Sequence, residues 1–164
     1  MVDYTSNIIS FKYEKPLLFD MMFYESAQTT KLLETRDKIN ISEEFSLTED
    51  DIPKLEVILQ KVFPEIKRPF EKLSYGVENA FANITNEITI QVNDLSGYDK
   101  NRVSICDGFL FDWIVCLVLQ TWYHDNNRPD LVELIAVKTE RIRQLLSESL
   151  AELKKRGAYS WPPS

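Results

Sequence analysis

The sequence predicts a mainly α-helical domain of the α+β class, an antiparallel bundle of about four helices with a small two-stranded β element. Three observations lead to this fold class. Long segments place apolar residues at helical spacing, only two short segments alternate with period two, and 44% of the 164 residues are hydrophobic, enough for one complete core. Residues 1–156 are therefore assigned to a single helical domain, and residues 157–164 to an extended C-terminal tail.

Two segments have the alternation of a half-buried strand, residues 7–13 (NIISFKY) and residues 86–94 (NEITIQVND). A lone strand leaves its backbone groups unpaired. The two segments are therefore expected to pair with each other or with another copy of the chain. The residues that form their apolar faces are Ile9, Phe11, Tyr13, Ile88, Ile90 and Val92.

The first helix is expected from Leu17 to about Ile39, with Pro16 in its first turn. Its apolar stripe is imperfect, because the polar segment SAQTTK (residues 26–31) lies in the middle. This segment interrupts the face that should pack on the core, so it weakens the helical pattern there.

The second helix is expected from residue 49 to about residue 82, after an acid-rich connection whose carboxylates suit a helix N-terminus. Residues 52–62 place apolar side chains on one face. Pro64 and Pro69 should kink or break the helix, because proline lacks the N–H of the backbone ladder. A bent or two-part helix is therefore predicted.

Two strong helices complete the domain. The third, from about Ser104 to His124, is apolar almost all round and should lie in the centre of the fold. The fourth is expected from Asp130 to about Arg156, with one apolar face, basic residues at its C-terminal end and Gly157 as the residue that ends it.

The sequence gives no pattern of catalytic residues, and the chain is not expected to be an enzyme. The single histidine, His124, has no partners at metal-ligand spacing and suits a capping or surface role. Cys106 and Cys116 are expected to be reduced core residues, because desolvation in an apolar helix suppresses thiol reactivity.

No cofactor or metal is predicted either. The acidic residues of segment 43–51 match no calcium loop and are better explained as helix capping. Four glycines leave no glycine-rich loop that could hold a phosphate.

Asp112 stands out because it lies in an otherwise apolar helix. It is expected to pair with a basic residue of the last helix, with a contact to a neighbouring subunit as the alternative.

Charge and hydropathy limit the possible partners. Asp and Glu number 26 against 19 Lys and Arg, a net charge of -7, which disfavours a groove that grips DNA phosphates but would suit a wall past which DNA slides. MVDYTSNIIS lacks the features of a secretory signal, and the longest apolar run, FLFDWIVCLVL (residues 109–119), is shorter than the ~20 residues of a membrane span. An intracellular, soluble protein without a membrane partner is expected.

The C-terminal segment, KKRGAYSWPPS, has the composition of a binding segment. Its two prolines are rigid and lose little entropy on docking, and Tyr159 and Trp161 can anchor in a pocket. The alternative is that both aromatic side chains fold back onto the core of the same chain. Composition does not separate these two possibilities.

The order of these elements resembles that of a known family. A strand and helix (ISFKYEKPLLFDMMFYESAQTTKLLE), a long helix after an acidic segment (SLTEDDIPKLEVILQKVFPEIKRPFEKL), a strand (EITIQVND), an aromatic helix (FLFDWIVCLVLQTWYHDNN) and a last helix (LLSESLAELKKRGAYSWPP) follow one another. Together they resemble the head-to-tail adaptor, or connector ring, proteins of tailed bacteriophages. They are most similar to versions from phages of gut bacteria, including the crAss-like group, over nearly the whole chain.

This resemblance implies a structural virion protein. Its members form a homo-oligomeric ring of twelve copies under the portal vertex, in the virion neck, and are assembled in the host cytoplasm. The partners implied are the portal protein and other neck and tail ring proteins, with channel DNA only in non-specific proximity. Carried over to this chain, the family's portal contact falls on Lys154, Lys155, Arg156, Tyr159, Trp161, Pro162 and Pro163.

A second class of function also fits the composition. An acidic helical binding protein of the inhibitor or immunity type, with a basic toxin or nuclease as its partner, would also carry negative charge and lack catalytic residues. Such a protein would bind its partner at a one-to-one ratio and would not need its tail.

Overall fold

The computed structural model describes residues 1–5, 8–41, 45–72, 76–79, 86–93 and 98–153. These residues confirm the predicted class, a mainly α-helical fold with a small β element. They contain four long helices, α1 (Lys15–Asp37), α2 (Ile52–Lys72), α3 (Lys100–Asp125) and α4 (Pro129–Ala151). They also contain four strands, β1 (Val2–Thr5), β2 (Ile8–Glu14), β3 (Gly76–Asn79) and β4 (Glu87–Asn93).

The strands form one antiparallel sheet in the order β1-β2-β4-β3. The central pair consists of the two predicted strands, and Phe11 lies opposite Ile90 in their register. This confirms that they pair within the chain. The two edge strands were not predicted, so the sheet has four strands instead of two. Each edge strand has four residues, too few to establish a period.

The polar segment of α1 does not interrupt the helix. Ser26, Thr29 and Thr30 are buried, and each hydroxyl donates to a carbonyl three or four residues earlier, at 3.0, 2.8 and 2.9 Å. Because these hydrogen bonds satisfy the hydroxyl groups inside α1, small polar side chains can occupy its inward face. The expected weak point is therefore a regular part of a 23-residue helix.

A bent or a two-part second helix was predicted, and the two-part form is wrong. α2 is a single helix that includes both Pro64 and Pro69, and it ends at Lys72 instead of residue 82. Its inward face supplies the reason, because packing of an apolar face outweighs the loss of two backbone hydrogen bonds. The buried residues of that face are Leu55, Ile58, Leu59, Val62, Phe63, Ile66 and Phe70.

Pro64→Ala is expected to stabilise the protein by about 1–3 kcal/mol. Pro64 is exposed in the interior of α2, and alanine would restore an N–H donor for the carbonyl of Gln60. The greater freedom of the unfolded variant offsets part of this gain. Urea unfolding at neutral pH measures the change. Pro53→Ala is the matched control, because Pro53 lies in the first turn and its replacement should change stability by less than about 0.5 kcal/mol. A less stable Pro64→Ala variant would contradict the prediction.

α3 is the central helix, as predicted, and it packs against the other three. It begins four residues earlier than expected because Asp99 caps it, with Oδ1 accepting a hydrogen bond from the N–H of Asn101 at 2.9 Å. By length and composition, α3 is apolar enough to cross a membrane, and half of its most apolar stretch is buried in the fold. The longest apolar run of the sequence, residues 109–119, is only part of this 26-residue helix.

α4 ends at Ala151, before the predicted end at Arg156. The chain leaves the helix there because Leu153 turns into the core and has no exposed surface. Its carbonyl accepts a hydrogen bond from the N–H of Asp99 at 3.2 Å, so a contact with the start of α3 fixes this end. The basic residues assigned to the helix end, and Gly157, lie outside the described residues.

Candidate functional site

The predicted docking tail follows directly after the described part of the chain. All seven residues that the resemblance assigns to a partner contact lie outside the described residues. The structure does describe where the tail begins. The assigned residues are Lys154, Lys155, Arg156, Tyr159, Trp161, Pro162 and Pro163.

Contacts from Asp99 and Arg102 hold the start of the tail in place. Leu153 is buried against the N-terminal end of α3 through the hydrogen bond to Asp99. Beside it, the guanidinium of Arg102 donates from Nη1 to the Oε2 atom of Glu152 at 2.6 Å and to its carbonyl at 3.3 Å. The last described residue, Leu153, is therefore held next to the first turn of α3.

A cleft of about 430 Å³ lies where the end of β2, the start of α1 and the N-terminal half of α3 meet. Four carboxylates line it, from Glu14, Glu87, Asp107 and Asp112, against two cationic groups, Lys12 and the amino group of Met1. Such an excess of negative charge favours a cationic ligand.

The two cationic groups of the cleft already have partners. The amino nitrogen of Met1 lies 3.6 Å from Oδ2 of Asp107, and Lys12 pairs with Asp3. Asp107 also accepts a hydrogen bond from the hydroxyl of Tyr13 at 2.7 Å. Burial, with the charge and hydrogen bond of Asp107, raises the pKa of the Tyr13 phenol well above its usual value. Tyr13 therefore stays a neutral donor that holds Asp107 in position.

Three of the cleft carboxylates are not engaged by a basic group, although Oε1 of Glu87 accepts a hydrogen bond from the hydroxyl of Thr89 at 3.2 Å. Within the described part of the chain, no basic group forms an ion pair within 4 Å of Glu14, Glu87 or Asp112. These three carboxylates are therefore available to a cation that enters the cleft.

The other wall of the cleft is apolar. The ring of Phe111 packs on the ring of Tyr13 with centroids 5.8 Å apart and planes tilted by 50°. Leu17 is 56% exposed in the same cleft. At Gly108, a Cβ atom would meet no other atom within 4 Å, so the backbone of α3 opens directly onto the space. The cleft can thus bind a group that is both cationic and apolar.

Asp112 is not paired as predicted. Lys138 is the basic residue of α4 whose charge acts on Asp112. It forms its ion pair with Glu25 of α1 instead, at 2.6 Å. Desolvation by neighbouring side chains raises the pKa of Asp112; the charge of Lys138 opposes this, and that of Glu25 adds to it. Lys138 therefore acts on Asp112 only through its electrostatic field. Desolvation still makes the ionised form of the Asp112 carboxylate unfavourable.

Asp112→Asn is expected to leave the fold intact and to stabilise it by less than about 0.5 kcal/mol at pH 7, a small figure because the site is open to solvent. A raised pKa in the folded state means that ionisation disfavours folding. The stabilisation by Asp112→Asn should therefore appear at pH values above the pKa of Asp112 in the folded protein. It should vanish below pH 3.8, the ordinary pKa of an aspartate carboxyl. Urea unfolding at pH 7 and pH 3 checks this. Asp125→Asn, at the other end of α3, is the control for a lost charge. A variant less stable than the wild type at pH 7 would contradict the prediction.

The residues considered for chemistry have structural positions. Cys106 and Cys116 are buried and unbridged, as predicted, and burial raises the pKa of Cys116 to about 12. His124 is exposed at the C-terminal end of α3, with Nδ1 3.6 Å from Oδ1 of Asp125. Within the described ranges, no group of three or more His, Cys, Asp or Glu residues could hold a metal ion.

The acidic connection before α2 is partly described. Oδ2 of Asp51 accepts a hydrogen bond from the N–H of Thr48 at 2.9 Å, which is the capping role expected for this segment. Glu43 and Glu44 lie outside the described residues.

Sequence reasoning did not find the cleft. Its residues come from β2, α1, β4 and α3, which lie far apart in the chain. Asp112 is the one lining residue that the sequence pattern marks as unusual. Only the exposed position of Leu17 and the free space at Gly108 mark the site, and both depend on tertiary packing.

No protein-family model, curated protein or solved structure matches the chain.

Proposed function

We propose that this chain is a structural, non-enzymatic virion protein: a head-to-tail adaptor subunit that forms a connector ring in the neck of a tailed bacteriophage. In this proposal, twelve copies surround the DNA channel, and each docks on the portal through its C-terminal tail. The observation that supports the proposal is the position at which the tail begins, where Leu153 is buried and its carbonyl accepts a hydrogen bond from the N–H of Asp99, eleven residues before the last residue of the sequence.

The helical body supports a role in assembly. α1 buries one face, yet its opposite side bears Leu17, Tyr24 and Leu32, each more than half exposed. Apolar side chains repeated along the outer side of one helix are typical of surfaces that meet another protein. A ring subunit needs such a surface for its neighbours, in addition to a segment that reaches the portal.

The charge of the chain supports a position beside DNA without tight binding. A net charge of -7 repels the phosphate backbone, so a polymer that must move through the channel would not adhere to the wall.

Electron microscopy of the purified chain mixed with the portal protein encoded in the same genome tests the proposal. The expected result is a closed ring on the portal with twelve copies of this chain. Particles in which the portal stays bare and the chain remains solitary would rule the adaptor function out.

A second candidate is an acidic helical binding protein of the inhibitor or immunity type. The observation that favours it is the cleft, where the carboxylates of Glu14, Glu87 and Asp112 are available to the basic side chains of a partner. This function predicts a one-to-one complex with a basic toxin or nuclease, measurable by light scattering. That complex should persist after deletion of residues 157–164, whereas the adaptor should lose its partner.

A further inference from the structure

We propose that the outer face of α1 is a contact surface for a second copy of this chain, and that two copies pair through it with their α1 helices antiparallel. This face, which we call the outer stripe, consists of Leu17, Met21, Tyr24, Gln28 and Leu32. The pair is a state of the free chain, and its formation requires neither the portal nor the proposed adaptor function.

The outer stripe lies on the side of α1 that faces away from the core. At about 100° per residue, its members fall within an arc of about 80°, and the buried Met22, Ser26 and Leu33 are centred about 140° away from it. Three of its five members are more than half exposed. The stripe is therefore a surface of the free chain.

The composition of the outer stripe is unusual for a solvent-facing side of a helix. Such a side normally carries charged residues, yet none of the five members is charged, and a leucine lies at each end. The members follow one another at intervals of four, three, four and four residues, the spacing of a helix that packs lengthwise on another helix. An apolar stripe of this kind indicates a surface that another helix covers.

Charge complementarity favours a second copy in the antiparallel orientation. Asp20 and Lys31 are exposed and lie on the same flank of the stripe, about 20° apart around the helix. Neither forms an ion pair with another described residue. When Leu17 of one copy faces Leu32 of the other, equal flanks meet, and Asp20 of each copy lies about 3 Å along the axis from Lys31 of the other. A parallel pair would instead bring Asp20 towards the flank that carries Glu25, a like charge.

The pair should be weak. The stripe runs along about 22 Å of helix, which gives an interface at the small end of specific contacts. Exposed ion pairs fix the orientation of such a contact more than they strengthen it. We therefore expect a dissociation constant on the order of 10–100 µM. A twofold pair is closed by itself, whereas a ring repeats a different contact, so the pair must separate before α1 can meet neighbours in a ring.

Sedimentation velocity of the full chain from about 5 to about 500 µM tests for the pair, since this range brackets the expected dissociation constant. The double variant Tyr24→Ser with Leu32→Ser removes two apolar members of the stripe, and both lie where exposure makes a change of fold unexpected. Val137→Ser is the matched control, because Val137 is an apolar residue 73% exposed on α4. Circular dichroism checks that each variant keeps its helices.

Charge reversal tests how the two copies are arranged. Asp20→Lys and Lys31→Asp should each weaken the pair about five- to tenfold, because each variant turns two attractive contacts of the pair into repulsive ones. The double variant Asp20→Lys with Lys31→Asp should restore the affinity of the wild type, since opposite charges then meet again.

The expected result is a monomer–dimer equilibrium in the wild type and in Val137→Ser, with an affinity at least about tenfold lower in the serine double variant. A wild-type chain that stays monomeric throughout, or a dimer that the serine double variant leaves unchanged, would overturn the proposal. A single charge reversal that leaves the pair unchanged or tightens it would overturn the antiparallel arrangement. Closed rings of the chain alone would also overturn the pair but would support the adaptor function, so the two failures are distinguishable.

Discussion

Phe11→Ala is expected to destabilise the protein by about 3–5 kcal/mol, a large part of the stability of a domain of this size. Phe11 lies in the central strand β2 and has no exposed surface. Its ring packs on Phe70 of α2, with centroids 5.9 Å apart and planes tilted by 55°, and its neighbour across the sheet is Ile90. Truncation would therefore leave a cavity between the sheet and α2 that neither can close.

Urea unfolding followed by circular dichroism measures this loss. Val137→Ala is the matched control, because Val137 is 73% exposed on α4 and its truncation removes apolar atoms without forming a cavity. The control should change stability by less than about 0.5 kcal/mol. If Phe11→Ala costs less than about 1 kcal/mol, the sheet does not pack on α2 as described.

The parts of the fold that short-range pattern decides could be predicted. Alternation in residues 7–13 and 86–94 identified the two central strands, because a strand with one buried face must alternate. The nearly continuous apolar composition of α3 identified the central helix. These signals lie within single segments, so no knowledge of the partner segment is needed to recognise them.

The boundaries that were wrong depend on contacts between segments. α4 stops at Ala151 because Leu153 meets Asp99, more than fifty residues earlier in the chain. α2 continues through Pro64 because its inward face packs on other elements, which outweighs a local preference against helix. In neither case does the local sequence carry the deciding information.

The candidate site divides in the same way. The binding role of the tail stays a prediction from composition, because residues 154–164 lie outside the described part of the chain. The cleft could not be recognised, because Leu17 and Gly108 are ordinary residues until the fold places them around one space. The pairing predicted for Asp112 failed for a related reason, since Lys138 had a second carboxylate, Glu25, within reach.

Deletion of residues 157–164 is expected to weaken portal binding at least a hundredfold and to change the free energy of unfolding by less than about 1 kcal/mol. Binding should fall because the deletion removes both proposed anchors, Tyr159 and Trp161, and aromatic residues that anchor an interface each contribute about 2 kcal/mol or more. Stability should hold because the described core is complete at Leu153. Biolayer interferometry on immobilised portal protein measures the affinity, and urea unfolding measures the stability.

Two variants separate the tail from the body that carries it. Leu153→Ala should lower the free energy of unfolding by about 2–4 kcal/mol, because it truncates a side chain with no exposed surface. Such a loss would show that Leu153 belongs to the core. Gly108→Leu changes the helical body, keeps the whole tail and should retain portal binding. Full affinity after the deletion would place the portal contact on the helical body, for example on the exposed side of α1 that bears Tyr24 and Leu32. A deletion that unfolds the chain would instead show that residues beyond Leu153 belong to the core.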